Sequence, residues 1–150
     1  MPNSLKSVTL TKYMYEDNFR GMKNIQEIII TDTVTNTTYP ECFAFGCTNL
    51  KKVTTNINTI TEISDSAFRA CNELESFVVP DGVKTIGVCA FYGCEKLKSV
   101  TVPNTVETIG ARAFTLEPCK VLTSEQLQVL TPPGKLAGRL KGVIFHLPAI

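Results

Sequence analysis

The chain has 150 residues, of which 43% are hydrophobic and 19% are charged, so it can bury a core and does not resemble a disordered protein. The length predicts a single domain over residues 1–150. A net charge of +1 gives no electrostatic reason to expect nucleic acid or an anionic membrane surface as a partner. No apolar run approaches the ~18 residues of a membrane span. The segment MPNSLKSVTL shows no secretory signal, which suggests an intracellular protein or a fragment.

One pattern, L-x-x-V-x-V/I, recurs along the chain and predicts a β-strand at each occurrence. Its last positions alternate apolar and polar residues and favour β-branched side chains, which is typical of a half-buried strand. Pro80 and Pro103 end two of these strands, because proline cannot donate to the ladder. In chain order the pattern occurs at Leu5–Leu10, Ile25–Ile30, Leu50–Thr55, Leu74–Val79 and Leu97–Val102, with weaker matches at Leu116–Val121 and Leu140–Phe145.

A second pattern, I-G-x-x-A-F-x-x-C, lies between the strands and predicts a short turn or a single helical turn. Gly87 and Gly110 are interpreted as points of sharp reversal, where a side chain would be unfavourable. The Phe of the pattern is the predicted wedge, an apolar ring that fills the turn. Phe19 is the predicted wedge of a degenerate first repeat. In the segment CFAFGC, either Phe43 or Phe45 could be the wedge.

Three segments depart from these patterns. The Thr-rich segment Thr31–Pro40 is predicted to cross the molecule in an extended conformation. Thr123–Leu130 starts with an N-cap residue followed by good helix formers, which predicts a short helix. Gly142–Pro148 is interpreted as a closing strand. Residues 116–150 are therefore expected to cap the fold, because the last repeat would otherwise expose core and an unpaired strand edge.

The strand and turn patterns together form a repeat with a period of 23 residues. Ile63–Pro80 and Ile86–Pro103 show it best, as ISDSAFRACNELESFVVP and IGVCAFYGCEKLKSVTVP. Agreement at many apolar positions with free variation between them predicts stacked repeats that share a core. The equivalent residues include Ile63, Ile86 and Ile109; Phe68, Phe91 and Phe114; Cys71 and Cys94; Leu74 and Leu97.

The cysteines fit the repeat better than they fit a disulfide framework. Cys47, Cys71 and Cys94 take equivalent positions ahead of a strand, and free Cys is among the most buried residue types, so a small interior side chain is the simplest interpretation. A disulfide between Cys71 and Cys94 is the less favoured alternative. Zinc held by the pairs Cys42/Cys47 and Cys89/Cys94 is disfavoured, because stacking would separate the pairs by roughly 10 Å.

At LESFVVPDGVKTIGVCAFYGC (Leu74–Cys94) and LKSVTVPNTVETIGARAF (Leu97–Phe114) the chain resembles the BspA-like, or Treponema pallidum-type, leucine-rich repeat family. The match is best over residues 60–114 and degenerate over residues 5–49. The resemblance implies a mainly β, right-handed superhelical solenoid with a parallel sheet on its concave side and short turns on its convex side. It also implies non-enzymatic proteins that bind other proteins, often at the cell surface or after secretion.

The outward positions of stacked strands would form columns across the concave face, because successive strands lie ~4.8 Å apart. These columns are the candidate partner-binding surface, and the alternative is a solvated sheet with partners bound elsewhere. The first column is Lys6, Gln26, Lys51, Glu75 and Lys98; the second is Ser7, Glu27, Lys52, Ser76 and Ser99; the third is Thr9, Ile29, Thr54, Val78 and Thr101. All of these except Ser7 and Thr9 are candidate binding residues.

Nothing in the sequence predicts a catalytic, cofactor or metal site. His146 is the only histidine and is interpreted as an edge or packing residue of the closing strand. The basic residues between Lys135 and Lys141 are interpreted as a solvated loop, and Asn36 begins a glycosylation sequon that matters only in a secreted protein. The leading hypothesis is therefore a protein-binding module with adhesive character. The alternative is a scaffold subunit attached to a larger assembly through Thr131–Ile150.

Overall fold

A computed structural model describes residues 5–117, 120–121 and 127–129. These residues form a mainly β solenoid of parallel strands, in agreement with the expected fold class. No helix in the described part of the chain is long and apolar enough to cross a membrane. The strands are β1 Ser7–Leu10, β2 Glu27–Ile30, β3 Thr38–Tyr39, β4 Lys52–Thr55, β5 Glu62–Ile63, β6 Ser76–Val78, β7 Thr85–Ile86, β8 Ser99–Val102, β9 Thr108–Ile109, β10 Thr115–Glu117, β11 Lys120–Val121 and β12 Leu127–Val129.

The concave strands confirm all five of the stronger strand predictions. They form two parallel groups, β1-β2-β4 and β6-β8-β12. Their side chains alternate between core and solvent. In β8, for example, Val100 and Val102 are fully buried, whereas Ser99 and Thr101 are half-buried on the other face. Each buried Val or Ile contributes about 1.5–3 kcal/mol relative to an exposed side chain, so a one-residue slip of register would be strongly unfavourable.

A second sheet, which the sequence analysis did not predict, runs along the other side of the solenoid. It has the order β3-β5-β7-β9, and each strand has two residues. Tyr39 pairs with Ile63, Ile63 with Ile86, and Ile86 with Ile109, and all four side chains are buried. The periodic Ile positions therefore mark a strand and not the start of a helical turn.

A stack of phenylalanine rings fills the turns. Phe68 and Phe91 are nearly parallel, with ring centroids 5.5 Å apart, and Phe91 and Phe114 stack at the same distance. Phe19 is buried, and its ring centroid lies 5.3 Å from that of Phe43, which confirms Phe19 as the wedge of the first repeat. Phe43 is the wedge of the second repeat, because its ring is buried whereas Phe45 lies nearer the surface.

The order of Ala and Phe is reversed in this second repeat. The Ala44 amide donates to the Ala67 carbonyl, just as the Phe68 amide donates to the Ala90 carbonyl one repeat later. Ala44 therefore takes the backbone position that Phe68 takes in the next repeat, and Phe43 takes the position of Ala67. Both orders bury one ring in the turn.

Gly87 and Gly110 are needed for close approach between repeats and not, as interpreted from sequence, for a sharp reversal. Neither has a positive φ. A Cβ added at Gly110 would lie 2.4 Å from the Val88 nitrogen, and one at Gly87 would lie 2.6 Å from the Asp65 nitrogen. These neighbours are backbone atoms, so they cannot rotate away.

The three cysteines in equivalent positions are buried, as predicted, and each thiol bonds to the preceding repeat. Cys47 Sγ donates to the Phe19 carbonyl at 2.9 Å, Cys71 Sγ to Ala44 at 3.3 Å, and Cys94 Sγ to Phe68 at 3.1 Å. All five cysteines in the described residues are free thiols, so Cys71 and Cys94 form no disulfide in this structure. No cluster of three metal-ligating side chains occurs among the described residues.

The chain after Phe114 differs from its prediction. Leu127–Val129, predicted as part of a helix, is strand β12 and pairs in parallel with β8. The pairing supplies hydrogen-bond partners to the open edge of β8, and this tertiary contact outweighs the local helix propensity of the segment. The weak strand prediction at Leu116–Val121 corresponds to an antiparallel hairpin of β10 and β11. The predictions at Leu140–Phe145 and Gly142–Pro148 lie outside the described residues, as does most of the predicted cap.

The predicted extended crossing at Thr31–Pro40 is only partly extended. The Val34 amide donates to the Thr31 carbonyl in a turn, and Val34 itself is buried. The extended part is limited to β3, Thr38–Tyr39.

Candidate functional site

The second- and third-column candidates lie on the outward face of the concave strands, and the first-column candidates lie one residue before each strand begins; none of them is buried. Val78 stands out because its side chain is apolar and 68% exposed. Lys6, Lys51, Lys52, Glu75, Ser76 and Lys98 are also exposed, and the remaining candidates, Gln26, Glu27, Ile29, Thr54, Ser99 and Thr101, are half-buried. The opposite sides of these strands form the core. Only the outward side chains can therefore contact a partner, and only they can be substituted without disturbing the core.

Strand pairing brings the outward residues into columns, as the period predicts. Glu27 pairs with Lys52 and Ile29 with Thr54 across β2 and β4. Ser76 pairs with Ser99 and Val78 with Thr101 across β6 and β8. The backbone of the first column is also aligned. The Lys51 amide donates a hydrogen bond to the backbone carbonyl of Gln26, and the Lys98 amide donates one to the backbone carbonyl of Glu75.

The columns do not form one continuous sheet surface, contrary to the prediction. β4 and β6 belong to separate sheets, so Lys52 and Ser76 are not ladder neighbours. The second sheet crosses the same point without interruption, through the pairing of β5 with β7. The concave face is therefore divided between β4 and β6, while the solenoid itself remains intact.

Unusual core residues occur at this division. Tyr39 takes the position that Ile63 takes in the next repeat, and its hydroxyl hydrogen-bonds to the Thr55 hydroxyl across the core. Phe77, on β6, takes an inward position paired with Val100 and contacts the Tyr39 ring at 6.2 Å. Burial raises the pKa of Tyr39 and so keeps its hydroxyl protonated. The break in strand pairing is thus accompanied by a Tyr where the neighbouring repeats have Ile, and by a Phe that pairs with a Val in the next repeat.

The concave face has a small excess of positive charge, with four lysines and two glutamates among the candidates. The Ser7 hydroxyl donates to the Glu27 carboxylate at 3.3 Å, which holds one of these glutamates near β1. Charge on this face is therefore mixed, and it offers both polar contacts and the apolar side chain of Val78.

The buried thiols are poor candidates for nucleophilic chemistry. Burial raises the pKa of Cys47 to about 11, with a smaller opposing effect from a Met22 backbone hydrogen bond. Burial also raises the pKa of Cys71 well above its usual value, and the neighbouring Cys94 raises it further. Since the thiolate is the nucleophile, protonated and enclosed thiols at these positions serve packing. His146 lies outside the described residues.

The sequon residue Asn36 has a structural role. Its side-chain oxygen accepts a hydrogen bond from the Met14 amide at 2.7 Å, and its Nδ2 donates to the Met14 carbonyl at 3.0 Å. Asn36 precedes Thr37, whose carbonyl accepts from the Thr61 amide in the next repeat. The Asn36 amide therefore attaches the degenerate first repeat to the second.

Sequence reasoning missed a ladder of alternating arginine and aromatic side chains beside the turns. Arg20 Cζ lies 4.8 Å from the Phe45 ring centroid. Arg69 Cζ lies 5.4 Å from the Phe45 ring centroid and 4.9 Å from that of Tyr92. The signal was present in the residue that follows the wedge position of each repeat, but the reversed order in CFAFGC concealed the alignment. We call Arg20, Phe45, Arg69 and Tyr92 the arginine–aromatic ladder.

Comparison with known proteins identifies the family. The model of the BspA type leucine rich repeat region matches residues 2–123 in six copies. The chain belongs to the BspA type leucine-rich repeat family. A T. pallidum leucine rich repeat protein of known structure is similar, with 26% identity and a TM-score of 0.64 over 79% of this chain and 50% of that protein. A leucine-rich repeat protein from Bacteroides ovatus has 26% identity and a TM-score of 0.63 over 75% of this chain and 29% of that protein.

The BspA type chain described here spans half, or less, of the length of these two proteins. No match was found among curated proteins. Leucine-rich repeat families are generally non-enzymatic protein-interaction modules, and the present chain shares their repeat and fold. The family therefore supports a binding role in general terms, and the particular surface used has to be argued from this chain.

Proposed function

We propose that this protein is a non-enzymatic module that binds a protein partner through its concave face. The observation that carries the proposal is the exposed, in-register array of outward side chains around Val78, which is 68% exposed at the edge of the divided sheet. An apolar side chain surrounded by polar and charged neighbours is the usual composition of a small interface centre. The lysines and glutamates around it would add orientation and selectivity.

The test compares two triple variants of the same chain. The concave variant carries Lys52→Glu, Ser76→Arg and Val78→Arg, which reverse one charge and add two large cations to the proposed surface. The matched control carries Lys84→Glu, Thr108→Arg and Tyr13→Arg, at positions that are exposed outside the concave strands. Neither set of substitutions replaces a buried residue, so both variants should keep the wild-type circular dichroism spectrum.

Proteins that bind the wild type and the control, but not the concave variant, would support the proposal. They would be identified by affinity purification from the native source followed by mass spectrometry. Equal recovery with the concave variant and the wild type would place the binding site elsewhere. The scaffold alternative depends on Thr131–Ile150, which lie outside the described residues.

A further inference from the structure

One arginine of the arginine–aromatic ladder, Arg69, forms no ion pair with a carboxylate in the described part of the chain. Arg69 is the central cation of the ladder and lies between the rings of Phe45 and Tyr92. Stacking on two rings restrains the guanidinium group and leaves its N–H edge available for hydrogen bonds.

The first repeat shows how a carboxylate fits this turn. Arg20 Nη1 lies 3.1 Å from Asp17 Oδ1, and the Arg20 amide donates to the Asp17 carbonyl at 3.1 Å. In the third repeat the Arg69 amide donates to the Ser66 carbonyl at 3.2 Å in the same kind of turn. Ser66 has a φ of 57° and Asp17 has a φ of 54°, so the two backbones match. Ser66 therefore stands where the first repeat has its carboxylate.

The nearest acidic residue in sequence does not fill this place. Asp65 precedes Ser66, but its Oδ1 accepts a hydrogen bond from the Val88 amide at 2.7 Å. That bond holds the carboxylate against the next repeat. The turn from Ser66 to Arg69 thus offers a restrained guanidinium group and a neighbouring hydroxyl donor, at the place where Asp17 supplies a carboxylate two repeats earlier.

We propose that the Ser66–Arg69 turn binds a carboxylate side chain from an acidic segment of a protein partner. A guanidinium group with a free edge can bind a carboxylate through two parallel charge-assisted hydrogen bonds, and the Ser66 hydroxyl can donate a third. The site lies beside the turns and away from the concave strands. If this turn binds no carboxylate, the proposal that the concave face binds a protein is unaffected. If the concave face binds no protein, the proposal for this turn is likewise unaffected.

The decisive variant is Ser66→Asp, which would supply a carboxylate from within the chain and so block the site. Aspartate tolerates the left-handed conformation, as Asp17 shows at the equivalent position. Ser66→Asn is the matched control, because it has nearly the same shape and the same backbone tolerance but no charge. Arg69→Gln removes the cation, and the Ser66 pair keeps the test valid if that variant fails to fold.

The probe is a hexaglutamate peptide, with hexaglutamine as the neutral control, titrated into the full chain at low salt. Binding is followed by the NMR signal of the Arg69 Nε–H group, or in Arg69→Gln by the ring signals of Phe45 and Tyr92. We expect saturable shifts with hexaglutamate in the wild type and Ser66→Asn, and affinity about tenfold lower or lost in Ser66→Asp and Arg69→Gln. Equal affinity in Ser66→Asp and wild type, shifts with hexaglutamine of the same size, or no shift at Arg69 would each overturn the proposal.

Discussion

The hydrogen bond between Tyr39 and Thr55 predicts a strongly non-additive pair of substitutions. Tyr39→Phe keeps the ring and its contacts with Phe68 at 5.1 Å and Phe77 at 6.2 Å, so it loses only the hydroxyl. Its expected cost is about 1 kcal/mol, the usual net value of one intramolecular hydrogen bond. Thr55→Val is nearly isosteric, but it leaves the fully buried Tyr39 hydroxyl without its partner, which costs about 1–3 kcal/mol.

The double variant should be nearly as stable as the wild type, because replacing both partners by apolar groups of similar shape is close to neutral. Simple addition of about 1 and about 2 kcal/mol would give about 3 kcal/mol, so a nearly neutral double variant corresponds to a coupling energy of about 3 kcal/mol. Urea denaturation followed by circular dichroism measures all four proteins. Single-variant costs that add in the double variant would refute the reasoning, as would a Thr55→Val protein as stable as the wild type.

Three further changes test other contacts of the solenoid. Gly110→Ala should destabilise the fold by about 2 kcal/mol or more, since its Cβ would lie 2.4 Å from the Val88 nitrogen, and an unchanged urea midpoint would contradict the close approach. Asn36→Asp should cost about 1–3 kcal/mol, because it loses the donor to the Met14 carbonyl, and thermal unfolding would show a lower Tm. Cys47 has a folded pKa of about 11 against an ordinary value of 9.0, so the unfolded state loses its proton first and stability should fall as pH rises from 9 towards 11. Cys47→Ala should reduce that fall between pH 8 and 10.5, and an identical fall in both proteins would contradict the assignment.

The repeat could be predicted from sequence because each of its positions has one structural task. Alternation in segments such as Leu97–Val102 is imposed by a sheet with one buried face, and the wedge Phe residues recur because every turn has the same cavity to fill. The same regularity predicted the columns of the concave face, including the pairing of Val78 with Thr101. Local pattern and stacking agree at these positions, so a single sequence was sufficient.

Predictions were wrong where stacking outweighs local preference. Leu127–Val129 has helix-forming neighbours, but the open edge of β8 pairs with it as a strand. Gly110 resembles a turn glycine in sequence, whereas the approach of the adjacent repeat explains it. These outcomes depend on residues about one repeat away, which a local pattern does not include.

The features particular to this protein depend on residues in different repeats that meet only after folding. The Tyr39–Thr55 pair joins residues from the two sides of the core, and the division between β4 and β6 coincides with it. The sandwich around Arg69 likewise brings together three repeats, and the reversed order of Phe43 and Ala44 hid it. The Tyr39–Thr55 pair carries no periodic signal, because it occurs once among the described residues.

The central claim, that the concave face contacts a protein partner, is tested most directly by site-specific photo-cross-linking. A photoreactive phenylalanine analogue placed at Val78, and in a second protein at Tyr13, reports which exposed hydrophobic position touches the partner in the native source. The proposal predicts a discrete cross-linked protein from position 78 and none from position 13. Cross-linking at position 13 alone, or an absence of cross-linking at position 78 while the partner still co-purifies, would contradict it.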